Sequence, residues 1–281
     1  MQVIENRKWF YILSLVLLIP SILSLLIQGL NQGIDFKGGS IVYLSLSDEA
    51  TVAGITEVVD ELGLGSSEIQ QSGKEFYIRT GELEQDQSDS LIGALQDKYN
   101  EVKLLSTETV GPAIGKELTR NAIIALIIAT ILMLIYIAFR FEWTFGIAAI
   151  LAIIHNVVVV LGVCSLLRWE INSAFIAAVL TVVGFSINDT IVIFDRVREN
   201  IRIKRRESYD VLLNTSVTQT INRSINVVLV VTFPLVALIL FGGESIKLFA
   251  ATMLIGFVVG AYTSIFIASP LWYELKTRFA L

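Results

Sequence analysis

Residues Ile171–Asn200 read INSAFIAAVLTVVGFSINDTIVIFDRVREN: eighteen residues without a charge, then Asp189, then five more uncharged residues before Asp195, Arg196 and Arg198. About 20 apolar residues suffice to cross a hydrocarbon core of ~30 Å, so the stretch reads as a transmembrane helix. Asp189 then lies at membrane depth. A charge there costs about 2.5–3.5 kcal/mol on insertion scales, so such residues are paired, protonated or functional. Forming a helix requires no acid at that position. The default reading is a proton- or ion-linked site in a membrane transport protein.

The same signature recurs in Trp9–Ile34, Asn121–Phe139, Trp143–Leu167, Ser224–Gly243 and Leu248–Tyr273. With Ile171–Phe194 these make six spans, and a polytopic α-helical membrane protein is expected. Composition agrees: 54% of the 281 residues are hydrophobic, 17% are charged, and the mean hydropathy is +0.70. Those values exclude an ordinary soluble domain. The first run follows Arg7 and Lys8, yet it is too long for a signal peptide and Gln28-Gly29-Leu30 offers no small-residue cleavage site, so it reads as an uncleaved anchor.

Charge sets the expected orientation. Arg7, Lys8, Arg140, the run from Arg196 to Arg206, Lys276 and Arg278 fall in short segments on one side, whereas the opposite short loops carry only Arg168 and Lys247. The positive-inside rule then places both termini in the cytoplasm. The basic run Arg202 to Arg206 reads as a topology determinant in contact with anionic lipid. Residues 28–118 fall outside, and their 16 Asp and Glu against 6 Lys and Arg leave a net −10. So acidic an exterior argues against a nucleic-acid partner. One Cys (Cys164) and one His (His155) cannot build a standard zinc site or a Cys–His dyad, so no metal is expected.

The external segment has the length of a small domain. Ser40–Leu46 alternates as a strand, Glu49–Leu62 has helical period and ends at Gly63, and Ser67–Gln71 and Glu75–Thr80 flank the turn Ser72-Gly73-Lys74. Asp86–Tyr99 reads as a second helix and Glu101–Val110 as a last strand. That order, βαββαβ, is the ferredoxin-like α+β arrangement, which by itself assigns no function. The expected division is residues 1–30 for the tail and first helix, 31–118 for the extracytoplasmic domain, and 119–281 for helices two to six, with a cytoplasmic loop at about 196–218.

Where the chain enters the domain stands Gly33-Ile34-Asp35-Phe36-Lys37-Gly38-Gly39. It lacks the spacing of a phosphate-binding loop. Gly33, Asp35, Phe36, Gly38 and Gly39 are read as a hinge motif, the glycines permitting tight turns and close backbone approach. Gly256, Gly260, Ser264 and Ala268 recur every four residues in the sixth span and mark a packing face. Ala174, Ala178, Thr181 and Gly184 form a looser strip in the fourth, which Asn188 and Asp189 continue towards protein rather than lipid. Pro234 is expected to kink the fifth span.

Partners for Asp189 are sought by depth. His155 and Asn156 lie about 7–9 Å from its level at ~1.5 Å per residue. Arg223, read as opening the fifth span, carries a side chain long enough to reach towards it. The proton- or ion-coupling candidates are therefore Asp189, Arg223, Asn188, His155 and Asn156.

The glycine motif, the stretch Gly184–Asn200 and Gln219-Thr220-Ile221-Asn222-Arg223-Ser224 together resemble the SecF family, the smaller membrane subunit of the SecD–SecF pair in the resistance-nodulation-division (RND) superfamily. The likeness extends over essentially the whole chain. It implies an accessory of the Sec protein translocase that couples the proton-motive force to completion of preprotein export across the bacterial cytoplasmic membrane. It also implies a twelve-helix heterodimer with SecD, contact with the SecYEG translocon, preprotein substrates and surrounding lipids. Asp189 matches the family's transmembrane acid and Arg223 its basic residue. Many members carry His-Asp where this chain has His155-Asn156. No enzyme activity and no cofactor are expected, protons or sodium being the coupling ion. Two other readings stay open: half of an RND-type exporter of small molecules or lipids, and a non-transporting membrane scaffold.

Overall fold

The computed structural model describes residues 1–47, 49–65, 67–204 and 206–278. Arg205, one member of the basic run, lies outside the described residues. Along the chain come α1 (Arg7–Ile27), β1 (Gly39–Leu46), α2 (Val52–Glu61), β2 (Glu68–Ser72), β3 (Glu75–Thr80), α3 (Gln85–Lys98) and β4 (Val102–Val110). Then follow α4 (Pro112–Arg140), α5 (Trp143–Leu166), α6 (Ser173–Ile203), α7 (Tyr209–Phe241), α8 (Glu244–Thr263), a π-helical turn (Ser264–Ala268) and α9 (Ser269–Arg278). Two compact units result: Met1–Asn31 with Ala125–Leu281, and Gln32–Ile124.

Among the described residues, six helical segments are long and apolar enough to cross a membrane: α1, α4, α5, α6, α7 and the continuous α8–α9 rod. A helix satisfies its backbone polar groups internally, which is what hydrocarbon demands of a spanning segment. α1 stops at Gln28, before Gly29 turns to φ 64°. The Asn172 side chain accepts from Phe175 N–H at 2.9 Å and starts α6.

The segment 196–218, expected as a loop, is largely helical. α6 runs on to Ile203 and α7 begins at Tyr209. The end of an apolar run is not the end of a helix here, because Arg196 with Glu199 and Arg198 with Asp195 form i,i+3 ion pairs (2.6 and 2.9 Å) along the polar extension. Arg223 consequently lies well inside α7 instead of opening it. α7 also passes through Pro234 as one continuous helix.

Small residues set the helix spacing. A Cβ on Gly162 of α5 would fall within the Ser21 side chain of α1, and one on Gly256 of α8 within Val182 of α6. α5, α6 and α8 thereby bury much of their surface, while α4 and α7 present mostly exposed aliphatic side chains, as lipid-facing helices do. At the end holding both termini, Phe145 stacks on Trp272 (4.7 Å) and tilts against Phe194 (4.9 Å). Val3 and Ile4 are buried there, and both their N–H groups donate to Asn214 Oδ1 (2.8 and 3.2 Å).

The Gln32–Ile124 unit is the expected βαββαβ domain. Its strands lie in the order β2-β3-β1-β4, every neighbouring pair antiparallel, with Val42 opposite Ile78 and Thr107. Each helix thus connects two strands separated by a third, the split βαβ topology. Alternation along β1 and β3 sends Val42, Leu44, Leu46, Phe76 and Ile78 inward, where they meet Ile55, Val58 and Val59 of α2 and Leu91 and Leu95 of α3. A β-bulge interrupts the pairing of β1 with β4 next to Leu44.

Candidate functional site

Asp189 is 8% exposed, turned inward on α6 beside Ser186, Thr190 and Ile193. Its Oδ1 accepts a hydrogen bond from Ser224 Oγ of α7 at 2.5 Å. Its Oδ2 is buried without a partner among the described residues. Arg223 stands next to that serine but is exposed on the chain by itself, and no ion pair within 4 Å joins it to Asp189. Consecutive residues on a helix point about 100° apart, so turning Ser224 inward turns Arg223 outward. Asn188 is likewise exposed while Asp189 is buried. Ser224 was legible as part of a sequence motif, yet its role needs the rotation of α7, which sequence does not report.

His155 and Asn156 are also adjacent in sequence and divided in space. His155 Nε2 meets Ser14 Oγ of α1 at 2.5 Å, and its Nδ1 meets Thr263 Oγ1 of α8 at 3.1 Å. Thr263 donates its own hydroxyl to Val259 O (2.7 Å), so it accepts from Nδ1–H, and Nε2 accepts from Ser14. The imidazole thus has both nitrogens satisfied away from Asp189. Asn156 instead donates through Nδ2 to Gly256 O (3.3 Å) and faces α6 at the level of Ser186. Ser186 precedes Asp189 by three residues, about 4.5 Å along a helix axis, closer than counting along the spans suggested.

Between them runs a seam of hydroxyls. Thr190 Oγ1 lies 2.8 Å from Ser264 Oγ, and both are within hydrogen-bond reach of Ser186 O, at 3.0 and 3.2 Å, so their two protons are shared among these three contacts. Ser264 opens the π turn, where Ser269 Oγ donates to Ser264 O (3.2 Å). π turns inside membrane or soluble helices occur frequently at functional sites. Further along α6 the polar extension is locked: Arg196 Nε and Asn200 Nδ2 both donate to Gln219 Oε1 (2.6 and 3.0 Å).

The glycine motif belongs to the other unit. Ile34–Lys37 forms a single helical turn, containing Asp35 and half-buried Phe36 and preceded by Gly33 in extended conformation. Gly38 then takes φ 80° and Gly39 φ 131°, both in the region that favours glycine. A Cβ on Gly38 would sit 3.0 Å from Pro112 Cα, and one on Gly115 3.0 Å from Phe36 O. The strand entering the domain and the helix leaving it are held backbone against backbone. Gly115 was not among the residues singled out; its partner across the joint lies far away in sequence.

Residues 91–278 match the family model described as protein export membrane protein SecD/SecF, C-terminal, and residues 23–50 match the SecD/SecF GG motif. The chain is 41% identical over 286 residues to protein translocase subunit SecF of Acidaminococcus fermentans, covering 99% of this chain and 98% of that protein. It is 39% identical over 282 residues to the SecF subunit of Calditerrivibrio nitroreducens, covering 97% and 93%. Among solved structures, the crystal structure of SecDF, a translocon-associated membrane protein from Thermus thermophilus, superimposes with a TM-score of 0.92 at 36% identity over 99% of this chain. This chain spans 39% of that larger one, in which both subunits' names are joined. A buried intramembrane acid on a six-helix bundle, a glycine-jointed α+β domain and near full-length identity to SecF subunits place this chain in the SecD/SecF family of protein-export membrane proteins.

Proposed function

We propose that this chain pairs with a SecD-type subunit into a twelve-helix unit beside the Sec translocon and uses an ion gradient, carried by protons at Asp189, to complete preprotein export. Both termini and the α6–α7 connection face the cytoplasm, and the α+β domain faces outward, where it engages emerging polypeptide with its SecD counterpart. The observation that carries this reading is the Asp189 carboxylate, buried at membrane depth with one oxygen bonded to Ser224 and the other unpartnered. A group held there changes its charge with its proton, and each elementary charge crossing the field releases ~2.3 kcal/mol per 100 mV. One or two protons per cycle therefore supply the few kcal/mol that a domain movement requires.

Gradient-dependent preprotein export into vesicles bearing SecD and this chain, wild type against Asp189→Asn, tests it. The variant is expected to co-purify with SecD and to lose the gradient-dependent part of export. Assembly with undiminished gradient dependence would return Asp189 to a structural role. Replacing the proton gradient by a sodium gradient identifies the ion.

A further inference from the structure

α5, α6 and α8 cross at Gly260, where a Cβ would lie 3.0 Å from Asn156 Nδ2 and 3.5 Å from Ser186 Oγ. Asn156 and Ser186 are each 1% exposed. At this crossing Asn156 Oδ1 and Ser186 Oγ are both buried without a partner among the described residues, and Asp189 Oδ2, in the same condition, follows one turn along α6. Three such atoms on one seam of a membrane bundle are unusual, because a polar group in hydrocarbon that lacks a hydrogen bond is costly. The amide of Asn156 is oriented by its bond to Gly256 O, so Oδ1 acts only as an acceptor and demands a donor. Neighbouring hydroxyls do not supply it: Thr190 and Ser264 are engaged with each other and with Ser186 O.

We propose that Asn156 Oδ1 and Ser186 Oγ bind a buried water molecule, and that this water is the step by which protons reach Asp189. The inference rests on the coupling reading of Asp189 and names the route to it. Water fits the donor set: it donates to the amide oxygen, exchanges a hydrogen bond with the serine hydroxyl, and needs no counter-charge. In the transfer the water accepts a proton from the hydrated side and passes another to the Asp189 carboxylate, ending as water again. Within four residues of Asn156, Ser186, Ser224 and Gly260 along their helices, the titratable side chains are His155, Asp189, Arg223 and Tyr262. His155 has both nitrogens occupied by Ser14 and Thr263, so the route passes Asn156 and bypasses it.

The test uses the complete complex with its SecD-type partner, reconstituted in liposomes with an entrapped pH dye. Proton uptake under an imposed gradient is compared for wild type, Asn156→Leu, Ser186→Ala and Asp189→Asn, with co-purification as the check on assembly. Asn156→Leu and Ser186→Ala are expected to slow uptake about tenfold or more, and Asn156→Asp, which keeps an acceptor oxygen, to restore it. Uptake unchanged in both variants while Asp189→Asn abolishes it overturns the route and leaves the coupling reading standing. Uptake unchanged in Asp189→Asn overturns the coupling reading instead. Uptake that follows sodium and ignores pH shows a cation in the site and overturns the water. Should the variants fail to assemble, infrared spectra of the wild-type complex decide: a buried-water O–H band that shifts in H₂¹⁸O is expected, and its absence overturns the proposal.

Discussion

Asp189 and Ser224 form the contact on which the proposed chemistry turns. Ser224 supplies the single hydrogen bond that Asp189 Oδ1 accepts, in a site that offers nothing to Oδ2 among the described residues. A hydrogen bond to a carboxylate contributes roughly 1.5–3 kcal/mol when ionised. Ser224→Ala is therefore expected to reduce gradient-dependent export several-fold without preventing assembly, and Ser224→Thr to retain it. The carboxyl stretching band assigned to Asp189 should shift in the alanine variant; a band in an unchanged position would mean that the bond does not form in the membrane.

At the scale of elements, α6 and α8 owe their closeness to Gly256, where the Val182 side chain occupies the space of a Cβ. Close helix contact replaces the hydrophobic drive that a bilayer cannot supply. Gly256→Leu must push the two helices apart and disturb the Asn156, Ser186 and Ser264 contacts together. A loss of about 1–3 kcal/mol is expected, as in overpacked cores, and unfolding in mixed micelles measures it. In the α+β domain, Tyr43 of β1 stacks on Tyr77 of β3 (4.3 Å) and donates its hydroxyl to Glu75. That hydrogen bond to the carboxylate holds the Tyr43 hydroxyl protonated well above the usual value of about 10. Because the folded-state value is raised, the stabilisation is fully present below pH 10 or so and disappears as pH rises through the folded value. Glu75→Gln should bring Tyr43 ionisation back towards the ordinary tyrosine range in an ultraviolet titration.

At the scale of the whole molecule, the chain by itself exposes polar groups where hydrocarbon would surround them. Asn188 on α6 and Asn222, Arg223 and Asn226 on α7 are exposed, as are Ala174, Ala177, Thr181 and Gly184 at helical spacing along α6. Lipid cannot satisfy those groups, whereas a second helix bundle with complementary polar side chains can. Under the proposed pairing, this face receives the SecD-type subunit. Gly184→Leu is expected to abolish co-purification of the two subunits while leaving the six-helix bundle folded, and Leu132→Trp on α4, a helix of exposed aliphatic side chains, should leave pairing intact. Equal co-purification of both variants would place the interface elsewhere.

Much of this architecture was legible along the chain, for a local reason. A span declares itself by the length of its apolar run, and the α+β domain by switches between a period of two and a period near 3.6 bounded by glycine, so the six helices and the βαββαβ order followed from short windows. Asp189 stood out by the same rule, as a charge in the wrong solvent. Partners were not legible, because they depend on the rotation of one helix against another. About 100° separates Arg223 from Ser224, and His155 from Asn156, and helix packing turns Ser224 to Asp189 and brings Asn156 to the level of Ser186 at Gly260. Sequence determined that an acid lies in the membrane; tertiary structure decided that a serine and not an arginine binds it within this chain, since helical phase is set by contacts far apart in sequence.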